Sequence, residues 1–241
     1  MFEQFDAHPL SARRCPAFAD TARDWLPKVL EDFSIPLHKF GTGCHKTLDD
    51  LADEILRGET RLEVDSGSGR LIRVGAVVRL DVRYLPTDAP PLKLYEAGQC
   101  FKDGRTRYRP TEFAVWEKLK GGEDPDSCVL RALNEELKLK GPVTAIPGAI
   151  SEVLRDPEDY PAIRSKFRAF DFEIHLSPEQ FCAAGYREVQ PDKTTTFLWQ
   201  PLGSCCAHEC ILNPEGAGLR VRPLVRFRPP FSDSRNISEN S

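Results

Sequence analysis

Two adjacent glutamates, Glu135 and Glu136, sit near the end of the segment R-A-L-N-E-E-L at residues 131–137. Arg131 stands one helical turn before the first of them, and a third acid, Glu123, stands just ahead of the predicted helix start. Carboxylates grouped in this way are hard oxygen ligands of the kind that Mg²⁺ or Mn²⁺ prefers. A divalent cation beside a phosphate neutralises its oxygens and activates water for attack on phosphorus. Metal-assisted phosphate chemistry is therefore what these residue types point to.

The elements that must position these acids follow from pattern. Residues 124–138 read as a helix with Asp124 as N-cap and Pro125 at the first helical position. Val129, Leu130, Leu133 and Leu137 are its expected buried stripe. Upstream, 17–33 reads as an amphipathic helix with a kink or break at Pro27. Thr47 opens a second helix, with Asp50 completing a capping box, Gly58 as its stop, and Leu48, Leu51, Ile55 and Leu56 as its apolar stripe. The period then changes. Residues 60–64 and 70–84 read as a hairpin around S-G-S-G at 66–69. Strands are expected at 92–101, 111–119, 143–154, 166–176 and 194–202. Interleaved strands and helices give an α/β (α+β) fold with a mixed sheet. The expected organisation is a helical N-terminal extension over 1–58, a domain over 59–212, and a tail over 213–241 in which Pro229, Pro230 and polar residues predict fraying.

Residues 117–139 resemble the Nudix box, G-x5-E-x7-R-E-U-x-E-E-x-G-U, where U is a bulky aliphatic. Glu123, Arg131, Leu133, Glu135, Glu136 and Leu139 fall on six of its nine defined positions without a gap. Gly122-Glu123-Asp124-Pro125 also resembles the Gly-Glu-x-Pro turn common in such boxes. Three positions depart: Glu117 for the opening glycine, Ala132 for the glutamate after the arginine, and Lys138 for the late glycine. The resemblance implies an α/β/α sandwich. It implies that Glu135 and Glu136 carry Mg²⁺ or Mn²⁺ and the catalysis, and that Arg131 pairs with Glu123 to shape the box. It also implies that Ala132 leaves one metal-binding carboxylate missing. One of Glu152, Glu173 and Glu188, all outside the box, could compensate, and sequence does not choose among them.

Lys102, Arg105, Arg107 and Arg109 flank Tyr108 just upstream. They fit either a grip on substrate phosphates or a solvated hairpin turning at Gly104. Cys205, Cys206, His208 and Cys210 have the wrong spacing for a usual zinc site, so a reduced loop is expected. Arg220, Arg222, Arg226 and Arg228 alternate along an extended segment, which suits a charged edge strand or contact with an acidic partner.

At 241 residues, 40% hydrophobic and 29% charged, the chain has the composition of a globular protein with a proper core. Its net charge of -4 argues against nucleic-acid coating as its main task. No apolar run is long enough to span a bilayer, no secretory signal is visible, and the eight cysteines are scattered. These features predict a cytoplasmic protein with reduced thiols and no membrane partner. The expected partner is a small nucleotide or diphosphate substrate, and the long region before the box leaves room for a homodimer. Two functions stay open: a Nudix-like hydrolase of a diphosphate linkage in a nucleoside-diphosphate-type substrate, weakened by the degenerate box, and an inactive Nudix fold that binds a nucleotide or protein.

Overall fold

The computed structural model describes residues 22–43, 45–108 and 111–202. Arg109, the cysteine–histidine group at 205–210, the arginines at 220–228 and the start of the first predicted helix lie outside the described residues. The fold is mixed α/β, built on one nine-stranded mixed sheet.

Helix α1 spans Ala22–Asp32 and continues through Pro27. The proline removes one backbone donor, but Leu26 and Leu30 on either side of it are fully buried and hold the helix to its neighbours. Helix α2 spans Leu48–Leu56 and opens with the expected reciprocal cap. Asp50 N–H donates to Thr47 Oγ1 at 3.1 Å, and Thr47 N–H donates to Asp50 Oδ2 at 2.8 Å. The stripe of α2 differs from expectation at one end. Leu56 is exposed, while Ala52 and Glu54 are buried beside Leu51.

Strands β1 (Thr60–Val64) and β2 (Leu71–Tyr84) form the expected hairpin. The fourteen residues of β2 organise the sheet. Along one edge β2 pairs in turn with β1, with β5 (Val115–Lys118), and at its end with β3 (Leu92–Phe101). Its other edge pairs in parallel with β7 (Arg164–Leu176) from Ile72 to Tyr84. Strand β6 (Thr144–Arg155) lies outside β7. On the other side β3 pairs with β9 (Lys193–Pro201), and β9 with the short β8 (Tyr186–Val189). Strand β4 (Thr106–Arg107) folds back on β3. The sequence reading anticipated neither β4 nor β8.

Alternation along β2 assigns the two faces. Val78, Leu80 and Val82 point to the core beneath the third helix, α3 (Pro125–Leu137), with Leu94, Phe172, Ile174 and Phe197. Leu71, at the start of β2 and on the opposite phase, packs with Leu26, Leu30, Leu51, Tyr160 and Ile163 against α1 and α2. The sheet therefore carries α3 on one face and the α1–α2 pair at the beginning of the other.

Candidate functional site

Helix α3 starts as its sequence dictates. Asp124 accepts from Ser127 N–H at 2.9 Å, and Pro125 follows in the first turn. The helix stops at Lys138, whose φ of 57° is left-handed. Cys128, Val129, Ala132, Leu133 and Leu137 face the sheet. Leu130, expected in that stripe, is 57% exposed, and Cys128 and Ala132 take the inward positions instead. Ala132 is fully buried, so the column Cys128–Ala132–Glu136 runs from the core outward and ends at Glu136.

The turn before α3 is pinned by Arg131. Its Nε and Nη2 donate to the two oxygens of Glu123, each at 2.8 Å, and Nη2 also donates to the Lys118 carbonyl at 2.7 Å. Gly122 takes a φ of 78°, which lets the chain double back so that Glu123 also accepts from Lys120 N–H at 2.8 Å. The fork of Arg131 holds the Glu123 carboxyl down at about 2. The expected pairing of Arg131 with Glu123 is thus made in bidentate form. Arg131 Nη1 meanwhile reaches Glu117 at 2.6 Å and Glu135 at 3.1 Å. Glu117, which replaces the opening glycine of the pattern, is therefore part of the site.

Glu136 sits against Glu188 of β8, near enough for hydrogen bonding between the carboxyls to raise Glu136. Burial, then the negative charge of Glu188, then the hydrogen bond and the charge of Glu117 push the Glu136 carboxyl up to about 8, against a smaller opposing effect of Lys193. Burial raises Glu117 as well, with Arg131 opposing. Of the three acids outside the box, only Glu188 reaches the site. Glu152 pairs with Lys166 on outer strand β6, and Glu173 pairs with Arg83 and His175 on the opposite face of the sheet. Glu188 lies on a four-residue strand whose pairing with β9 no local pattern announces.

Strand register extends the site sideways. Glu188 pairs with Thr195, Thr195 with Gln99, and Gln99 with Arg107. Paired residues share a face, so these four form one row beginning at the acids. Glu188, Thr195 and Gln99 are buried. Arg107 ends the row and lends its charge to Asp159. The other basic residues of the hairpin are placed differently. Arg105 is held by Asp103 at 2.7 Å and by the Gly43 carbonyl at 3.2 Å, and Lys102 is exposed with its N–H on the Asp192 carbonyl. Tyr108 is half exposed and lies over Gly98, where a Cβ would stand 3.1 Å from its ring.

The helical pair braces the box from behind. Lys118 Nζ reaches Glu54 of α2 at 2.5 Å, and Gly121 N–H donates to the Arg57 carbonyl at 3.0 Å. A Cβ on Gly58 would lie 2.7 Å from Gly121 Cα, and the φ of 69° at Gly58 also favours glycine, so this crossing admits no side chain.

The fit of this site to a divalent cation has two sides. Two carboxyls set against each other and withdrawn from water mark a place where positive charge is wanted, and five carboxyls (Glu117, Glu123, Glu135, Glu136, Glu188) face Arg131 and Lys193. Yet among the described residues no group of three His, Cys, Asp or Glu side chains is set out as a metal site. Arg131 now holds Glu117 and Glu135, which would have to turn to join Glu136 and Glu188. Among the described residues no helix is long and apolar enough to cross a membrane. No protein-family model matches the chain, and no curated protein does.

Proposed function

We propose that the chain is a Nudix-like hydrolase that cleaves a diphosphate linkage in a nucleoside-diphosphate-type substrate. The observation that carries this reading is half-buried Glu136 set against buried Glu188, at the end of a helix whose entry is fixed by the Arg131–Glu123 fork. A carboxyl raised by a neighbouring acid gives up its proton readily to a cation of higher charge. Glu136 and Glu188 would hold Mg²⁺ or Mn²⁺, with Glu135 and Glu117 completing the set after turning from Arg131. The cation would neutralise the diphosphate oxygens and lower the pKa of the attacking water.

The chain's own residues would do the rest. Arg131 and Glu123 keep the turn at Gly122 in shape. A carboxylate of the cluster not taken up by the cation would accept the proton of the attacking water. Arg107, three strands from Glu188 at the far end of the row, would meet the group that the diphosphate carries. Helices on both faces of the mixed sheet support the α/β/α sandwich that the box resemblance implies. Glu188, arriving from β8, offers the acid that Ala132 lacks.

A second reading is a Nudix-like fold that binds nucleotide without cleaving it. It is favoured by Ala132 lying in the core and by the absence of a ready three-ligand arrangement among the described residues. One experiment separates the two. The protein is incubated with Mg²⁺ or Mn²⁺ and a panel of sugar nucleotides, dinucleotides and nucleoside triphosphates, and released phosphate and nucleoside monophosphate are measured. Turnover abolished by Glu136→Gln and by Glu188→Gln is expected. Metal-dependent nucleotide binding without turnover would favour the binding module.

A further inference from the structure

Gln99 stands one strand inside Arg107 and two strands from Glu188 in the buried row of the site. It is 4% exposed, and its Oε1 meets no hydrogen-bond partner. Its Nε2 lies 3.5 Å from Thr195 Oγ1, and Thr195 is itself 2% exposed. A buried carbonyl without a donor costs free energy that a leucine or methionine in its place would not. Turning the amide over does not remove the problem. The Thr195 hydroxyl can give or take one bond, so one pole of Gln99 is left over in either orientation.

The position of the leftover pole suggests its partner. Neighbouring strands are roughly 4.8 Å apart, so Gln99 lies about 10 Å along the row from Glu188. Phosphate oxygens belong at the acids, and they accept hydrogen bonds. The Gln99 carbonyl has no use for an acceptor. It needs a donor, such as a sugar hydroxyl or a base amine, on the organic group that a nucleoside diphosphate carries.

We infer that Gln99, backed by Thr195, is the specificity-determining residue that reads a hydrogen-bond donor on the non-phosphate half of the substrate. This rests on the diphosphate reading above. Because one pole of the buried Gln99 amide has no partner in the unliganded fold, an apolar side chain of similar length is expected to cost no stability there.

The test uses calorimetric titration of the full chain in Mg²⁺ with inorganic pyrophosphate and with ADP, GDP and UDP. Gln99→Leu is expected to weaken at least one nucleoside diphosphate about tenfold, the loss of one hydrogen bond, and to leave pyrophosphate unchanged. The melting temperature of the unliganded variant should equal or exceed that of the wild type, and Gln99→Met should behave alike. The 2′,3′-dideoxy analogue of the affected nucleotide assigns the donor. If it binds wild type and Gln99→Leu equally, the donor is a sugar hydroxyl; if the tenfold gap persists, it is on the base. Equal weakening of pyrophosphate, or no change for any of the three nucleotides, overturns the inference while leaving the diphosphate site standing. A lower melting temperature with unchanged affinities also overturns it, marking Gln99 as structural. Failure of the wild type to bind pyrophosphate or any nucleotide overturns the diphosphate reading, and this inference with it.

Discussion

Glu54 is buried and Glu136 half-buried, and their surroundings treat the two glutamates in opposite ways. Around Glu54 stand Lys46 Nζ at 2.8 Å, Arg73 Nη1 at 2.9 Å and Lys118 Nζ at 2.5 Å. Burial alone would raise Glu54, yet Lys118, Lys46 and Arg73 together bring it down to about 2. Around Glu136, burial is reinforced by Glu188 and Glu117, and its carboxyl rises to about 8. Desolvation acts in the same direction on both, so the sign of the neighbouring charge decides the outcome. A buried acid ringed by cations is finished within the fold. A buried acid ringed by acids is finished only by something that arrives from outside.

The largest expected effect tests the finished side. Glu54→Ala leaves Arg73, 2% exposed, and Lys118 without their main counter-charge. Breaking a buried network in this way costs about 3–5 kcal/mol, and urea unfolding should register it. Glu136→Gln keeps the shape of the side chain and removes the need to take up a proton on folding. Its metal-free stability at neutral pH should equal or exceed that of the wild type. A Glu136→Gln loss as large as that of Glu54→Ala would erase the distinction and make both acids structural.

Much of this site is legible in the sequence because it is local. The D-P start of α3, the Thr47–Asp50 box and the Arg131–Glu123 spacing each depend on residues within ten positions, and each is found as read. What is not legible is phase and distant pairing. A leucine-rich helix shows its period, but the approach of the sheet decides which face turns inward. That approach puts Leu130 outside and Ala132 inside. Likewise nothing near Y-R-E-V says that β8 pairs with β9 and delivers Glu188 to α3. Read along the chain, Ala132 looks like a missing ligand. In the fold it is a core position, and the acids come from β5 and β8.

A medium-sized effect follows from that difference. Ala132→Glu would put a carboxyl into the fully buried column beneath Glu136, on the acid-rich side of the comparison. It should destabilise the metal-free protein by about 2–4 kcal/mol, and Mg²⁺ or Mn²⁺ should recover part of the loss. Thermal unfolding with and without metal measures both. A variant as stable as wild type with tighter metal binding would show that position 132 does reach the mouth, and that its acid is simply absent here.

The most gradual effect is spread over pH, and its sign separates the two acids. Glu54 folded sits at about 2 against an ordinary 4.5, so between these values the unfolded chain binds more protons. Its contribution to stability is complete above pH 4.5 and is lost as pH falls towards 2. Glu136 folded sits at about 8 against 4.5, so in that interval the folded chain binds more protons. Stability is then greatest below pH 4.5 and declines as pH rises towards 8. One such proton gives a slope of at most about 1.4 kcal/mol per pH unit. Urea unfolding in EDTA from pH 5 to pH 8 should therefore show a decline in the wild type that Glu136→Gln flattens. Saturating Mg²⁺ should flatten it too, because a cation that takes the proton's place removes the reason for holding the proton. Parallel wild-type and Glu136→Gln curves across this range would mean that the acid cluster is as well compensated as the one around Glu54, and that nothing there waits for a cation.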